Sequence, residues 1–219
     1  MALQAVKGNF DTTRIPMWLN APCYALPWII GMWRHFAFGS PVLAAAVLAG
    51  CVQPKPLPVM GQAPAFQLTA ETGQPFDSKS LAGRIWVVDF VYTNCTGPCP
   101  MMSSQMRHIQ DRTAEIPDLT LVSFTVDPAR DTPPVLAAYA KHFRANPERW
   151  FFLTGDPARL NDVAFTGFKL NSVDGSLSHS SRFALVDRKG RIRGYYISTD
   201  DDFMARLLHD IRQLEREKS

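Results

Sequence analysis

Residues 84–100 read RIWVVDFVYTNCTGPCP, and this stretch decides the fold of the chain. Residues 84–92 are mostly β-branched or aromatic, which predicts a buried central strand. From Pro98 to about residue 116 the apolar side chains recur at helical spacing, so a helix follows the strand. Cys95 and Cys99 therefore stand at a strand-to-helix junction. In an open α/β sheet, binding sites form at this end of a strand.

Strands and helices alternate through the rest of the chain. Residues 66–74 alternate and then turn, which predicts an N-terminal hairpin. Further strands are predicted at about 119–126, 150–154, 182–187 and 191–198, and further helices at about 131–143, 157–165 and 201–217. This order predicts an α/β domain with a thioredoxin-like fold. Its central sheet would be flanked by helices, with one extra strand and helix inserted before the last hairpin.

The composition is that of a foldable protein with one ordinary domain. The chain has 219 residues, 46% hydrophobic and 20% charged, with a formal net charge of +3. This charge is too small to indicate an acidic partner. No run of basic residues interleaved with aromatic ones occurs, so we expect no nucleic-acid binding.

The N-terminal region has the pattern of a removable export signal. Residues 36–50 (FAFGSPVLAAAVLAG) carry no charge, follow a basic residue and end in small residues. A spanning helix would need about 20 apolar residues. Residues 48–51 (LAGC) resemble the lipobox of bacterial lipoproteins, in which the cysteine carries the lipid. We therefore expect residues 1–50 to be an N-terminal extension and lipoprotein-type signal peptide, with Met32 as the true start and Cys51 lipidated.

The alternative for this region is a transmembrane or buried helix over about residues 22–50, which its prolines and glycines would interrupt. Prolines at 54, 56 and 58 make residues 51–63 a semi-rigid linker. The domain would then cover residues 64–219. We expect an exported lipoprotein, anchored on the periplasmic side of the bacterial inner membrane or its equivalent, in which only Cys95 and Cys99 remain unmodified.

Cys95 and Cys99 carry the chemistry of the domain. Residues i and i+4 on a helical turn point the same way, with Cβ atoms about 5–6 Å apart. Two such sulfurs can bind one metal ion or, after a modest backbone adjustment, form a disulfide. The start of a helix also favours the thiolate. The plain alternative is a pair of buried core thiols. A thioredoxin-type redox pair is normally spaced Cys-x-x-Cys, which is narrower.

A third ligand would come from a histidine. Two thiolates suit Cu(I), and an added imidazole would let the site hold Cu(II) as well. His108, His142 and His209 fall on predicted helices and are interpreted as surface or packing residues. His179 lies instead in a polar loop before the strand at 182–187. In a thioredoxin plan that loop lies beside the cysteine turn, so we predict His179 as a ligand.

Other side chains near the predicted site have two interpretations. Asp127 ends a strand and could orient a ligand or a metal-bound water, or it could simply cap and turn the chain. Arg130 and Asp131 are predicted to form a local ion pair of little energetic worth. Three methionines at helical spacing are interpreted as core filling rather than thioether ligands: Met101, Met102 and Met106.

Four stretches in order carry a family resemblance. They are VDFVYTNC at 88–95 with the following Cys99-Pro100, TVDPARDTP at 125–133, LTG at 153–155, and HSS at 179–181 leading to VDRKG at 186–190. Through them the chain resembles the Sco/SenC family over roughly residues 64–215. The residues between the two cysteines are not the family's commonest, and the lipobox replaces the transmembrane anchor of many members.

The resemblance implies a thioredoxin-like copper protein that helps to build the binuclear copper centre of cytochrome c oxidase, with Cys95, Cys99 and His179 as copper ligands. We expect a metallochaperone rather than a catalyst. Its partners would be the copper-bearing oxidase subunit, the membrane through the lipid anchor, and another periplasmic copper carrier or a thioredoxin-like reductant.

Three alternatives stay open at this point. The same two thiols could serve a thiol–disulfide reductase acting on cysteines of the oxidase subunit or of another exported protein. A peroxiredoxin-like peroxidase would need neither copper nor a second cysteine four residues on. Structural zinc normally takes four protein ligands, and the sequence offers three.

Overall fold

A computed structural model describes residues 55–170 and 181–217 of the chain. The predictions for residues 1–54, including Met32 and Cys51, and the prediction for His179 fall outside the described residues. Within these two ranges, no helix is long and apolar enough to cross a membrane.

The described residues form strands and helices in an alternating order. The strands are β1 (Gly61–Gln62), β2 (Gln67–Ala70), β3 (Pro75–Asp77), β4 (Ile85–Val91), β5 (Leu119–Thr125), β6 (Trp150–Thr154), β7 (Arg182–Val186) and β8 (Arg191–Ile197). The helices are α1 (Pro98–Arg112), α2 (Pro133–His142), α3 (Pro157–Asn161) and α4 (Phe203–Arg216). A 3-10 turn covers Ser78–Leu81 and a π-helical turn covers Asp162–Gly167.

The predicted α/β class is confirmed, together with the N-terminal hairpin of β2 and β3. Two differences have local causes. α1 ends at Arg112, about four residues early, because the Thr113 hydroxyl donates to the Ile109 carbonyl and the chain turns there toward β5. β1 was not predicted, since two residues between prolines carry no strand periodicity.

All the described strands belong to one mixed sheet with the order β1-β8-β7-β4-β5-β6-β2-β3. β4, β5 and β6 are parallel, and the other pairs are antiparallel. β4 and β5 pair along their whole length, and every residue of both is buried, as expected for strands covered on two faces. The loops that follow β4 and β5 therefore emerge side by side at one edge of the sheet.

Alternate residues of β4 supply two separate apolar layers. Trp86, Val88 and Phe90 pack on one face with the aromatic side chains of β5 and of the segment after α3. Ile85 and Val87 pack on the other face against α1 and α4. Burying one such side chain stabilises the fold by about 1.5–3 kcal/mol. The two layers thus fix β4 rigidly, and with it the start of the cysteine loop.

The segment predicted as a Pro-rich linker lies against the domain from residue 55 onward. The buried Arg193 guanidinium donates to the carbonyls of Leu57 (2.7 Å) and Pro58 (3.1 Å), and Gln213 donates to the Lys55 carbonyl (2.8 Å). β1 then pairs with the start of β8. A proline cannot donate a backbone hydrogen bond but keeps its carbonyl, and here the carbonyl of Pro58 is satisfied together with those of Lys55 and Leu57. The described part of the segment is therefore held, not free.

This segment joins the domain at the end of the sheet opposite to the cysteines. β1 pairs with β8 at Ile192, and Ile192 pairs with Val186 of β7. Val186 in turn pairs with Trp86, near the start of β4. Cys95 follows the other end of β4. It is separated from Trp86 by more than six residues of extended chain, which span about 20 Å.

Candidate metal and thiol site

The site begins where β4 ends at Val91. Residues 92–97 form a loop, and α1 starts at Pro98. Gly97 precedes the helix with φ −116° and ψ −113°, outside the main regions open to residues with a Cβ atom. Gly97 has no side chain that could cap the helix, and the Cys99 amide in the first turn donates to the Cys95 side chain instead. Pro98 has no amide to satisfy and fits the first helical position.

The two sulfurs lie together under this loop. Cys95 is 8% exposed and Cys99 is fully buried, and both pack against Val91 and Tyr92. The Tyr92 amide donates to Cys99 Sγ (3.5 Å), and the Cys95 amide donates to the Tyr92 carbonyl (3.3 Å). The Cys99 side chain is also hydrogen-bonded to Cys95. The pair is a dithiol in which both cysteines are buried, Cys99 more deeply than Cys95.

The surroundings shift the pKa values of the two thiols in opposite directions. Burial acts to raise the pKa of Cys95, but hydrogen bonds from the Cys99 and Gly97 amides and from the side chains of Cys99 and Tyr92 outweigh it, so this pKa is lowered. Burial raises the pKa of Cys99 well above its usual range, and neighbouring Cys95 and Asp89 add to the effect. Cys95 is therefore the better nucleophile, and Cys99 keeps its proton.

Tyr92 has a role that the sequence did not suggest. It ends the stretch predicted as a buried strand, yet its side chain is hydrogen-bonded to Cys95, and this bond stabilises the thiolate. The same bond, with burial, raises the pKa of the Tyr92 hydroxyl. A tyrosine three residues before the first cysteine was the only available signal.

Asp131 also differs from its prediction. The expected ion pair with Arg130 is wrong, because Arg130 bonds Asp127 instead (2.9 Å). The Asp131 carboxylate turns inward and accepts from the Thr93 amide, the Thr93 hydroxyl (2.6 Å) and the Thr125 hydroxyl (2.5 Å). It thereby connects the cysteine loop to the end of β5.

Asp127 turns the chain at the end of β5. Its carbonyl accepts from the amides of Arg130 and Asp131, and its own amide donates to the Thr125 hydroxyl. Its carboxylate is close enough to Tyr92 to raise the pKa of that hydroxyl. The turn is thus observed, while a role in orienting a metal ligand stays a prediction.

The methionines and the helical histidines mostly take the expected positions. Met102 and Met106 are buried in the layer between α1 and the sheet, as core residues. Met101 differs, because it is 40% exposed beside Pro100 at the start of α1. His108, His142 and His209 are exposed on their helices.

Among the described residues, no group of three or more His, Cys, Asp or Glu side chains could hold a metal ion. The predicted third ligand, His179, lies outside them. β7 begins at Arg182, and continuing its antiparallel pairing with β4 puts Arg182 level with Phe90, at the cysteine end of the sheet. The structure therefore brings Cys95 and Cys99 together and leaves His179 untested.

A buried carboxyl, Asp89, lies on the face of β4 covered by α1. The Ser123 hydroxyl donates to Asp89 Oδ1 (2.5 Å) and itself accepts from the Trp150 indole (2.9 Å). Asp89 Oδ2 has no hydrogen-bond partner in the described part of the chain. Burial raises the pKa of Asp89 to about 7, against the lowering effect of the Ser123 bond. Its place within an otherwise apolar strand did not mark this residue out in the sequence.

A sheet of this topology with two cysteines spaced Cys-x-x-x-Cys at the end of its central strand defines a thioredoxin-like dithiol domain. The SCO1/SenC family model matches residues 58–214, which is most of the chain. The chain belongs to the SCO1/SenC family.

Solved structures of this family have the same fold. A SCO1/SenC family lipoprotein from Bacillus anthracis is 29% identical, with a TM-score of 0.65 over 71% of this chain and 95% of that one. BsSco, from a study of a disulfide switch in a member of the Sco family of cytochrome c oxidase assembly proteins, is 28% identical, with a TM-score of 0.67 over 76% and 100%. ScoI of Bradyrhizobium japonicum with copper bound is 25% identical, with a TM-score of 0.58 over 70% and 99%.

Proposed function

We propose that this chain is a copper-binding metallochaperone that helps to assemble the binuclear copper centre of cytochrome c oxidase. Cys95, Cys99 and His179 would be its copper ligands. The observation that carries the proposal is the dithiol at the end of β4, in a chain of the family whose ScoI member from B. japonicum holds copper.

The donor set fits copper as cargo. Thiolates are soft ligands and select Cu(I), and thiolate with imidazole also suits Cu(II). The lowered pKa of Cys95 provides a thiolate at the less deeply buried of the two sulfurs, which incoming metal would meet first. Cys99 would then lose its proton as the metal binds, because a metal ion replaces the proton on a coordinating thiol. The more deeply buried sulfur thus completes the site after the less deeply buried one.

His179 would supply the third ligand. It lies three residues before Arg182, so its Cα can be at most about 11 Å from that of Arg182. Arg182 starts β7 at the cysteine end of the sheet. This covalent limit is compatible with an imidazole that reaches both sulfurs and supports the assignment.

Delivery would proceed by ligand exchange with the copper-bearing oxidase subunit. Each incoming cysteine or histidine of that subunit would replace one ligand here, with Cys95 exchanged before Cys99 because it is less deeply buried. We place the chain on the periplasmic side of the bacterial inner membrane, held by a lipid on Cys51. The B. anthracis relative, a lipoprotein, supports this location. Copper would come from another periplasmic carrier, and a thioredoxin-like reductant would keep the thiols reduced.

A copper titration tests the proposal. The full-length chain would carry Cys23→Ser and Cys51→Ser, so that only the site cysteines offer thiols. We expect about one copper per chain, and loss of high-affinity binding in Cys95→Ser and Cys99→Ser. His179→Ala should lose the sulfur-to-Cu(II) absorption, whereas the control His209→Ala, on an exposed face of α4, should keep it. Unchanged copper binding in His179→Ala would remove that residue from the site.

The opposite pKa shifts of the two cysteines favour a second candidate, a thiol–disulfide reductase. The Cys95 thiolate would attack a partner disulfide and release one partner thiol. The Cys99 thiol, after losing its proton, would then displace the second partner thiol and leave a Cys95–Cys99 disulfide. Reduction of a partner disulfide by the copper-free chain, retained in His179→Ala and lost in Cys95→Ser, would support this function.

A further inference from the structure

Asp131 holds the loop that carries Cys95. Its carboxylate is 1% exposed. One oxygen accepts from the Thr93 hydroxyl, the other accepts from the Thr125 hydroxyl, and the Thr93 amide lies 3.2–3.3 Å from both. Thr93 is two residues before Cys95, and Thr125 ends β5. One buried side chain therefore ties the cysteine loop to the neighbouring strand.

These contacts are specific to the loop and do not serve the helix that follows Asp131. The residue before α2 is Thr132, and no side chain caps that helix start. Among the described residues Asp131 forms no salt bridge either, since Arg130 bonds Asp127. A buried carboxylate without a cation is costly unless hydrogen-bond donors surround it. Here the donors come from the cysteine loop and the end of β5, so the position of the loop and the burial of the carboxylate depend on each other.

We infer that Asp131 is a positioning residue for the dithiol: by fixing Thr93 against the end of β5, it holds Cys95 in the place where its sulfur meets Cys99 and an incoming copper ion. The inference rests on the proposed copper function for its consequence, while the positioning itself concerns the metal-free chain. A ligand held in place before metal arrives loses less freedom on binding. Residues that orient a ligand typically change metal affinity by 10–100-fold when substituted.

The test compares two buried aspartates at opposite ends of the sheet. Asp131→Asn keeps the shape of the side chain but turns one acceptor oxygen into a donor that faces other donors. The matched control is Asp187→Asn. Asp187 is also buried and accepts from the backbone amides of Lys189 and Arg191. Unlike Asp131 it also pairs with the guanidinium groups of Arg191 and Arg193, and it lies after β7, far from the cysteines. Both variants should lower the urea midpoint of unfolding, so stability alone does not separate them.

Copper affinity and amide exchange distinguish the Asp131→Asn variant from the Asp187→Asn variant. In the full-length Cys23→Ser, Cys51→Ser chain, we expect Asp131→Asn to weaken Cu(I) binding, measured by competition with a chromophoric chelator, by about 10–100-fold. It should also shift the sulfur-to-Cu(II) absorption. Asp187→Asn should leave both unchanged. In the metal-free chain, the amides of Thr93 and Cys95 should exchange faster in Asp131→Asn than in Asp187→Asn.

Equal exchange at Thr93 and Cys95 in the two variants would overturn the inference, as would equal Cu(I) affinity. If the unsubstituted chain binds no copper, the proposed function fails, but the exchange comparison still decides whether Asp131 positions the loop. Thr125→Val, which removes one donor and leaves Cys95 untouched, should accelerate the same two amides to a smaller extent.

Discussion

The backbone amide of Tyr92 donates to Cys99 Sγ at 3.5 Å, so the residue that follows β4 contacts the buried sulfur at the start of α1. The Tyr92 side chain is hydrogen-bonded to the other cysteine, Cys95. One residue thus contacts both sulfurs, through its main chain and its hydroxyl. The result is an unequal pair, with a lowered pKa at Cys95 and a raised pKa at Cys99.

The unequal acidities predict unequal alkylation. In the reduced, metal-free chain with Cys23→Ser and Cys51→Ser, we expect iodoacetamide to modify Cys95 first. Its rate should reach half-maximum at a pH below about 8.5, the usual thiol pKa. Cys99 should react far more slowly at every pH tested, because its sulfur is buried and its pKa is raised. Mass spectrometry of peptides after timed quenching gives both rates.

Tyr92→Phe serves as the companion variant. It keeps the ring and the backbone amide and removes only the hydroxyl that bonds Cys95, so the pKa of Cys95 should rise. Tyr195→Phe is the matched control, because the Tyr195 hydroxyl bonds the Phe168 carbonyl rather than a cysteine. Similar rates for both cysteines, or a Cys95 profile unmoved by Tyr92→Phe, would contradict this description of the site.

The buried Asp89 predicts a particular dependence of stability on pH. Burial raises the pKa of Asp89 to about 7 in the folded chain, against 3.8 for an ordinary aspartate. The folded state therefore binds the Asp89 proton more tightly than the unfolded state does. Below about pH 4 this protonation contributes its full amount to the free energy of unfolding. That contribution is lost as pH rises through 7, by an amount on the order of 4 kcal/mol.

Asp89→Asn should remove this loss, since the amide stays neutral. The free energy of unfolding of the variant relative to the unsubstituted chain should rise between pH 4 and pH 7 and then level off. Urea titrations at several pH values measure this difference, which cancels the contributions of other carboxylates. The titratable groups coupled to Asp89 are Cys99 and Tyr139, both with pKa values raised by burial above this window. A difference independent of pH would show that Asp89 is not the group that titrates.

Much of the fold was predictable because the pattern of β4 is unambiguous. Seven consecutive buried residues with a Gly-Pro turn after them specify a central strand and a helix start, and the pair at Cys95 and Cys99 follows from that junction. The resemblance to the family then indicated His179, which spacing alone suggested less strongly. The α/β class, the N-terminal hairpin and the family are confirmed.

The contacts that tune the site were not predictable, because they depend on side-chain direction. Asp131 looks like the partner of its neighbour Arg130, and only the turn at Asp127 sends its carboxylate inward to Thr93 and Thr125. The docked segment escaped prediction for a related reason. Its prolines indicate a spacer, while its acceptors are satisfied by Arg193, far away in sequence.

The contacts of Arg193 predict how strongly residues 55–60 are held against the domain. Its guanidinium is buried, bonds Asp187 (2.8 Å) and holds the carbonyls of Leu57 and Pro58. Arg193→Ala should lower the free energy of unfolding by about 3 kcal/mol, because it leaves a buried carboxylate and two carbonyls short of partners. It should also accelerate exchange of the Met60 amide, which donates to the Ile192 carbonyl.

Arg206→Ala is the control for this substitution. Arg206 pairs with Asp200 and Asp202 at the surface, where such a pair contributes about 0–1 kcal/mol. Equal effects of the two substitutions would mean that residues 55–60 are not held by Arg193.

Transfer of copper to the oxidase subunit is the decisive measurement for the proposed chaperone function. The copper-loaded chain is mixed with the copper-free soluble domain of the oxidase's copper-bearing subunit, the two proteins are separated, and the metal content and thiol state of each are measured. We expect copper to move to the oxidase domain in near-stoichiometric amount, and Cys95→Ser to abolish the transfer. Reduction of the oxidase domain's cysteines with no copper delivered, and with Cys95 and Cys99 left as a disulfide, would contradict the chaperone function.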